Sequence, residues 1–297
     1  MNSRLILNIG LLAIIGILVL LVKFEPGKEP EPEKIRLTPL TEENVNHIFI
    51  QRKGLPDIEL EKRNKVWFML KPYPLLANDF RVSSVTRVAK MVSHIQYKLD
   101  KVDIKKFKLD KPEATIRFNK EYTVEVGSNE PIKRRRYVKS NNQLHIVNDN
   151  FYYQVMSKAT TYAAYKLLSP EISLSKLELP GLQVEFKDNQ WHVKPRPKDF
   201  SADSLTNLLN EWRNAQSLEI EKYEGPRLKD KITLRMQDSQ QAISFAVKKD
   251  KPDVYLIRND LKLQYKLTDD MYQKLITLVP LESDEATEDK DAADKKP

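Results

Sequence analysis

The chain has 297 residues and a formal net charge of +8, from 50 basic and 42 acidic side chains. It contains no cysteine, which excludes disulfide bonds, thiolate metal sites and a lipoprotein anchor. The seven glycines of the whole chain argue against glycine-rich nucleotide-binding loops.

The first predicted element is an apolar helix. Residues Leu5 to Val22 include one polar side chain, Asn8, and no charged one. As a helix they extend about 27 Å, close to the hydrocarbon thickness of a bilayer. No small-x-small cleavage motif follows, so residues 1–23 are predicted to be an uncleaved single-pass anchor. The short stub before this segment favours export of the body, which predicts an extracytoplasmic folded domain.

Two polar segments border the folded part. Residues 24–34 are rich in proline and glutamate and are predicted to be an extended linker. Residues 281–297 are acidic, almost without apolar side chains, and predicted to be disordered. Between them, residues 35–280 carry 43 basic and 31 acidic side chains. This surplus suits an anionic membrane surface, and anionic glycans or nucleic acid are alternatives. Because an exported domain rarely meets nucleic acid, no nucleic-acid partner is predicted.

The folded part contains a pattern that occurs twice. The first copy begins at His47 and the second at Leu182, and both show alternating strands, a tryptophan and a proline. In each copy a helix, about four strands and a second helix follow. The fold class is therefore predicted to be α+β, with two similar lobes, residues 35–168 and 169–280. Each lobe is expected to be an antiparallel sheet with packed helices.

The two main helices have predicted apolar faces and caps. Asn78 or Asp79 would cap the first helix, and Ser201 or Asp203 the second. The predicted face of the first helix comprises Val82, Val85, Val88, Ala89, Val92 and Ile95. The predicted face of the second helix comprises Leu205, Leu208, Leu209, Trp212 and Ala215.

The most distinctive surface motif is the basic run Lys133, Arg134, Arg135 and Arg136. Arginine forks bind phosphate or carboxylate bidentately, so the run is a candidate site for an anion or an acidic partner. The alternative interpretation is a charged strand edge that prevents unwanted sheet pairing. The four histidines lie far apart in the sequence, and no catalytic, cofactor or metal residue is predicted.

Several strings resemble one known family. They are residues 37–40 (LTPL), 71–78 (KPYPLLAN), 107–112 (FKLDKP) and 127–138 (GSNEPIKRRRYV). With the apolar leader, they are similar to a bacterial family catalogued as domain of unknown function 4340. The resemblance implies a single-pass envelope protein of the bacterial inner membrane with a periplasmic body. It also implies an association with ABC transporter components of the gliding-motility type.

The sequence therefore predicts a membrane-anchored, non-enzymatic binding or scaffold protein without cofactors. Its expected partners are membrane proteins such as ABC transporter subunits. One alternative is an envelope hydrolase or transferase with a site between the lobes. Another is an anionic lipid or glycan binder that uses residues 133–136.

Overall fold

The computed structural model describes residues 3–24, 35–198, 200–237 and 239–278. The chain divides into two units, Met1–Ile35 and Arg36–Pro297. The described part of the first unit is helix α1 (Ser3–Phe24), and the second unit is the β-rich body. The predicted acidic tail and the predicted linker from residue 25 onward lie outside the described residues.

The first sheet has nine strands in the order β4-β3-β2-β1-β6-β7-β8-β9-β5. Its strands are β1 (His47–Arg52), β2 (Leu55–Arg63), β3 (Val66–Lys71), β4 (Leu75–Leu76), β5 (Ile95–Lys98), β6 (Ala114–Phe118), β7 (Tyr122–Asn129), β8 (Arg135–Ser140) and β9 (Gln143–Asn148). Its helices are α2 (Asp79–Ala89) and α3 (Tyr152–Val155), with 3-10 turns at Leu99–Lys101, Ile104–Phe107 and Ala159–Tyr162.

The second sheet has eight strands in the order β12-β11-β10-β14-β15-β16-β17-β13. Its strands are β10 (Leu174–Leu179), β11 (Leu182–Lys187), β12 (Gln190–Lys194), β13 (Glu219–Lys222), β14 (Asp230–Met236), β15 (Ser239–Asp250), β16 (Asp253–Arg258) and β17 (Leu263–Thr268). Its helices are α4 (Ala202–Asn214) and α5 (Asp269–Ile276).

If β4 is left out, the strands of the two sheets correspond one to one. The order β3-β2-β1-β6-β7-β8-β9-β5 in the first sheet matches β12-β11-β10-β14-β15-β16-β17-β13 in the second. Every strand pairing in the described residues is antiparallel, as the alternating pattern predicted. The helical content is lower than an α+β prediction implies, because α3 has four residues and the body is mostly β. Descent of the two halves from one ancestral unit stays a prediction.

The predicted start of the second copy is wrong by one strand. Leu182 begins β11, whereas the strand equivalent to β1 is β10, which pairs with both β11 and β14. In sequence, residues 174–179 (LSKLEL) alternate in polarity only from Lys176 onward and are followed by Pro180-Gly181. This signal is short, and the charged positions within it weaken the pattern.

Equivalent hairpins in the two sheets use the same turn chemistry. Asn64 and Lys65 join β2 to β3 with φ of 48° and 68°, and Asp188 and Asn189 join β11 to β12 with φ of 51° and 62°. Two successive residues with positive φ form the type I′ turn that matches the twist of paired strands. Asparagine and aspartate tolerate this backbone region better than most residues, so the turn is encoded locally.

The predicted helix caps are present. The side chain of Asn78 accepts a hydrogen bond from the Arg81 N–H, and that of Ser201 accepts one from the Ser204 N–H. Of the predicted apolar faces, Val82, Val85, Val88, Ala89, Leu205, Leu208 and Trp212 are buried.

The predicted first helix is too long. The observed helix α2 ends at Ala89, so Val92 lies beyond it. Ile95 belongs to strand β5, where its side chain is exposed. The apolar spacing alone did not reveal that change to a strand.

Residues 163–167, here called the connector, join the two sheets. On one side, the Ala164 N–H donates to the Leu76 carbonyl at 2.8 Å. On the other side, the Leu167 N–H donates to the Ala215 carbonyl, and the Tyr165 carbonyl accepts from the Ser217 N–H, at 3.0 and 2.8 Å. The connector therefore pairs with β4 and with the segment that leads into β13.

We expect Ala164→Pro to destabilise the body by about 1–3 kcal/mol, because proline lacks the N–H that the Leu76 carbonyl needs. Urea unfolding followed by circular dichroism measures the change. Ala164→Ser keeps the N–H and should stay close to the parent. Equal stability of the proline variant and the parent would show that this pairing does not hold the sheets together.

Candidate functional site

The predicted basic run divides into two parts with different environments. Lys133 and Arg134 lie in the turn before β8 and are exposed, and Arg135 is half-buried at the start of the strand. Arg136 is 6% exposed. Side chains alternate between the two faces of a strand, so the run does not form one four-residue surface.

Arg136 is already fully engaged within the protein. Its Nε and Nη2 atoms donate to the two carboxylate oxygens of Asp149 at 2.7 and 2.9 Å, and Nη1 donates to the Gly127 carbonyl at 2.7 Å. The guanidinium stacks 3.5 Å from the ring centroid of Tyr152, whose hydroxyl donates to Glu113. Burial, followed by the contact with Glu113, raises the pKa of Tyr152 to about 12. Arg136 is therefore removed from the candidate anion site, which leaves residues 133–135.

A backbone contact next to this network requires glycine. A Cβ atom on Gly127 would lie 2.3 Å from the Phe107 carbonyl oxygen, well inside contact distance. The segment containing Phe107 thus packs directly on β7, and the Phe107 ring lies 4.4 Å from the Tyr137 ring. Gly127 and Tyr137 belong to the string 127–138 that contributes to the family resemblance, and both have a structural role in packing against Phe107.

We predict that Arg136→Met destabilises the body by about 2–4 kcal/mol, because the partly buried Asp149 carboxylate and the buried Gly127 carbonyl both lose their donor. Arg134→Gln is the matched control in the same basic run, and its exposed position predicts a change within about 0.5 kcal/mol. Chemical denaturation of both variants compares the two effects. A small effect for Arg136→Met would contradict a structural role for this arginine.

His145 is a second buried polar group with no assigned role. It lies in β9, is 2% exposed, and neither ring nitrogen has a hydrogen-bond partner among the described residues. Burial lowers the pKa of this imidazole below its usual value of 6.5. The folded protein therefore binds this proton less readily than the unfolded chain, in which the ring titrates near pH 6.5.

This difference predicts acid destabilisation. Above about pH 6.5 the ring is neutral in both states, and below that pH the unfolded state binds the extra proton, so stability falls. Between pH 7 and 5.5 the free energy of unfolding of the parent should fall more steeply than that of His145→Met, which cannot bind the proton in either state. Urea unfolding at both pH values measures this loss. His94→Gln, at an exposed histidine that contacts Asn148, is the control for loss of an imidazole outside the core.

Two clefts lie on either side of the connector, between the sheets. The cleft here called the basic cleft has a volume of about 620 Å³ and lies between β3–β4 of the first sheet and β14–β15 of the second. The cleft here called the acidic cleft has a volume of about 470 Å³ and lies between the start of β2 and strand β13. Ala164 and Lys166 line the basic cleft, whereas Tyr165 lines the acidic one, as expected for an extended segment.

The basic cleft has apolar walls and few charged groups. Phe68, Leu75 and Leu76 contribute from the first sheet, and Met236 and Ile243 contribute from the second. Its charged lining residues are Arg63, Lys166, Arg258 and Asp260.

Most of these charges are paired. The guanidinium of Arg258 donates to both carboxylate oxygens of Asp260 at 2.8 and 2.6 Å, and this contact lowers the pKa of Asp260. The Nε of Arg63 donates to Glu61 at 2.7 Å. In the described part of the chain, Lys166 has no carboxylate within ion-pair distance. Lys166 therefore carries the uncompensated positive charge of this cleft.

The acidic cleft has the opposite balance. Glu219, Glu221 and Glu224 line it together with Lys158 and Lys222. Glu221 accepts a hydrogen bond from Gln264 at 3.0 Å, and Glu224 pairs with Lys222 at 3.0 Å. This partial pairing leaves a site that is smaller than the basic cleft and carries a surplus of acidic side chains on a largely apolar lining.

Sequence reasoning offered a site between the lobes as an alternative but assigned to it none of the residues that line the two clefts. The residues of the basic cleft come from three distant segments, 63–76, 164–172 and 236–261, and share no local motif. Over the residues that the structure describes, no group of three or more His, Asp or Glu side chains is arranged to hold a metal ion.

Comparison with known proteins identifies a family. The model described as "Domain of unknown function (DUF4340)" matches residues 67–235, which is more than half of the chain, so the chain belongs to this family. This confirms the resemblance seen in the sequence. The match extends from β3 to β14 and includes the connector. No curated protein and no solved structure matches the chain.

Proposed function

We propose that this chain is a membrane-anchored binding or scaffold protein rather than an enzyme. The observation that carries this proposal is helix α1, in which residues Ile6–Phe24 have a mean hydropathy of 2.6 and none is buried. An exposed apolar helix of this size is unfavourable in water, and about 20 apolar residues suffice to cross a bilayer. The helix is thus suited to anchor the β-rich body at a membrane.

The β-rich body supports recognition. Its two sheets are joined through backbone hydrogen bonds at the connector, and two preformed clefts lie beside that junction. Preformed concave sites with apolar walls are typical of ligand binding. The carboxylate that lines the basic cleft, Asp260, is bound by Arg258, which disfavours it as a general base.

We further propose that the body lies on the periplasmic side of the bacterial inner membrane and serves as an accessory subunit of an ABC-type transport complex. Support for this part comes from the family resemblance and from the apolar helix α1. The basic surplus of residues 35–280 suits a body held close to anionic headgroups.

Copurification of the full chain in mild detergent tests the proposed association with ABC transporter subunits. Membranes expressing the tagged chain are solubilised, and the bound proteins are identified by mass spectrometry. Recovery of an ATPase and a permease subunit is the expected result. The control is a chain with the same body and an unrelated single-pass helix. A chain that repeatedly purifies without membrane-protein partners would contradict the accessory role.

The anchor has its own test. We expect Ile14→Arg combined with Leu18→Arg to move the chain from the membrane fraction to the soluble fraction. Each arginine near the helix centre costs about 2.5–3.5 kcal/mol of insertion free energy. Phe24→Arg, at the helix end, is the control and should leave membrane association intact, since its side chain can reach the interface. Immunoblotting after alkaline extraction reports the distribution.

A further inference from the structure

We infer that the basic cleft is a binding site for a fatty-acid-like amphiphile, that is, an apolar chain with one anionic head group. This inference adds a ligand to the proposed binding role and does not depend on the transporter partner. The apolar walls would hold the chain, and Lys166 would hold the head group.

The walls determine the apolar part of the ligand. Phe68, Leu75 and Leu76 face Met236 and Ile243 across a cleft of about 620 Å³, which lies in the usual size range of small-molecule sites. Transfer of an apolar chain from water onto these side chains is favourable in proportion to the area buried.

The charges determine the head group. Since Arg258 is bound by Asp260 and Arg63 by Glu61, Lys166 is the cation that lacks a protein partner within the described residues. It is half-buried in the connector, where an ion pair is screened less than on an open surface. A carboxylate or phosphate head is complementary to this lysine, whereas a cationic head is not.

The hydrogen-bonding of the sheet edges disfavours a peptide in this cleft. An extended peptide usually binds by adding a strand to a free sheet edge. Here the edge strand β4 of the first sheet is already hydrogen-bonded, because the connector donates to the Leu76 carbonyl. The cleft therefore recognises its ligand through side chains, which suits an acyl chain better than a polypeptide backbone.

The test measures binding of a fluorescent probe, 11-(dansylamino)undecanoic acid, to the full chain in zwitterionic phosphatidylcholine nanodiscs. Empty nanodiscs supply the background. We expect saturable binding at one site, with displacement by palmitate and at least about ten-fold weaker displacement by methyl palmitate, which lacks the charge. Lack of saturable binding to the parent chain would overturn the inference.

Substitutions locate the site. Lys166→Gln should weaken probe binding at least about ten-fold, and Lys166→Glu should abolish it and allow binding of a cationic alkyltrimethylammonium. Lys158→Gln, at an exposed lysine of the acidic cleft, is the matched control and should bind like the parent. Circular dichroism confirms that each variant is folded.

Two further outcomes would overturn the inference. One is equal weakening by Lys158→Gln and Lys166→Gln, which would indicate a general charge effect. The other is displacement of the probe by an acidic apolar peptide but not by palmitate, which would indicate a peptide site. Because copurification of transporter subunits is measured separately, failure of the amphiphile test is distinguishable from failure of the accessory role.

Discussion

Backbone hydrogen bonding at the two sheet edges beside the connector, at β4 and next to β13, is the constraint on which the rest of the body depends. An unpaired edge exposes a row of N–H and carbonyl groups that must find partners. The connector meets this requirement on both of its sides, through Ala164 toward β4 and through Leu167 toward Ala215. The two sheets are thereby held as parts of one compact unit, and the clefts on either side have walls from both sheets.

The alternation of side chains along an extended strand explains why neighbouring residues lie in different environments. Lys166 lines the basic cleft while Tyr165 lines the acidic cleft. In the same way, Arg136 is buried against Asp149 while Arg135, the preceding residue of β8, is only half-buried. A run of like charges in sequence therefore does not define a binding surface, because the backbone distributes it between the interior and the solvent.

The proposed function combines three properties of the molecule. The apolar helix supplies an anchor, the joined sheets supply a stable body, and the clefts supply concave surfaces with opposite charge balance. Electrostatic complementarity of this kind selects among ligands more than it adds affinity. Membership of the family of unknown function is consistent with a recognition role and names no ligand. The chemistry of the clefts is thus the most direct guide to what the protein binds.

Local signals in the sequence determined much of the secondary structure. The apolar leader, the caps at Asn78 and Ser201, the apolar helix faces and the antiparallel strands were all predictable, because each depends on residues close together in the chain. The start of β10 was missed since its pattern is short and charged. The length of the first helix was overestimated because Val92 and Ile95 continue an apolar spacing that the backbone does not follow.

Only the tertiary structure decided how these elements create sites. The pairing of Arg136 with Asp149, the burial of His145 and the position of Lys166 in an apolar cleft all join residues that are distant in sequence or divided between strand faces. Composition and spacing report which residues are present and how they alternate. They do not report which distant segment will cover a given face, because that depends on sheet order and on the hydrogen bonds that close the sheet edges.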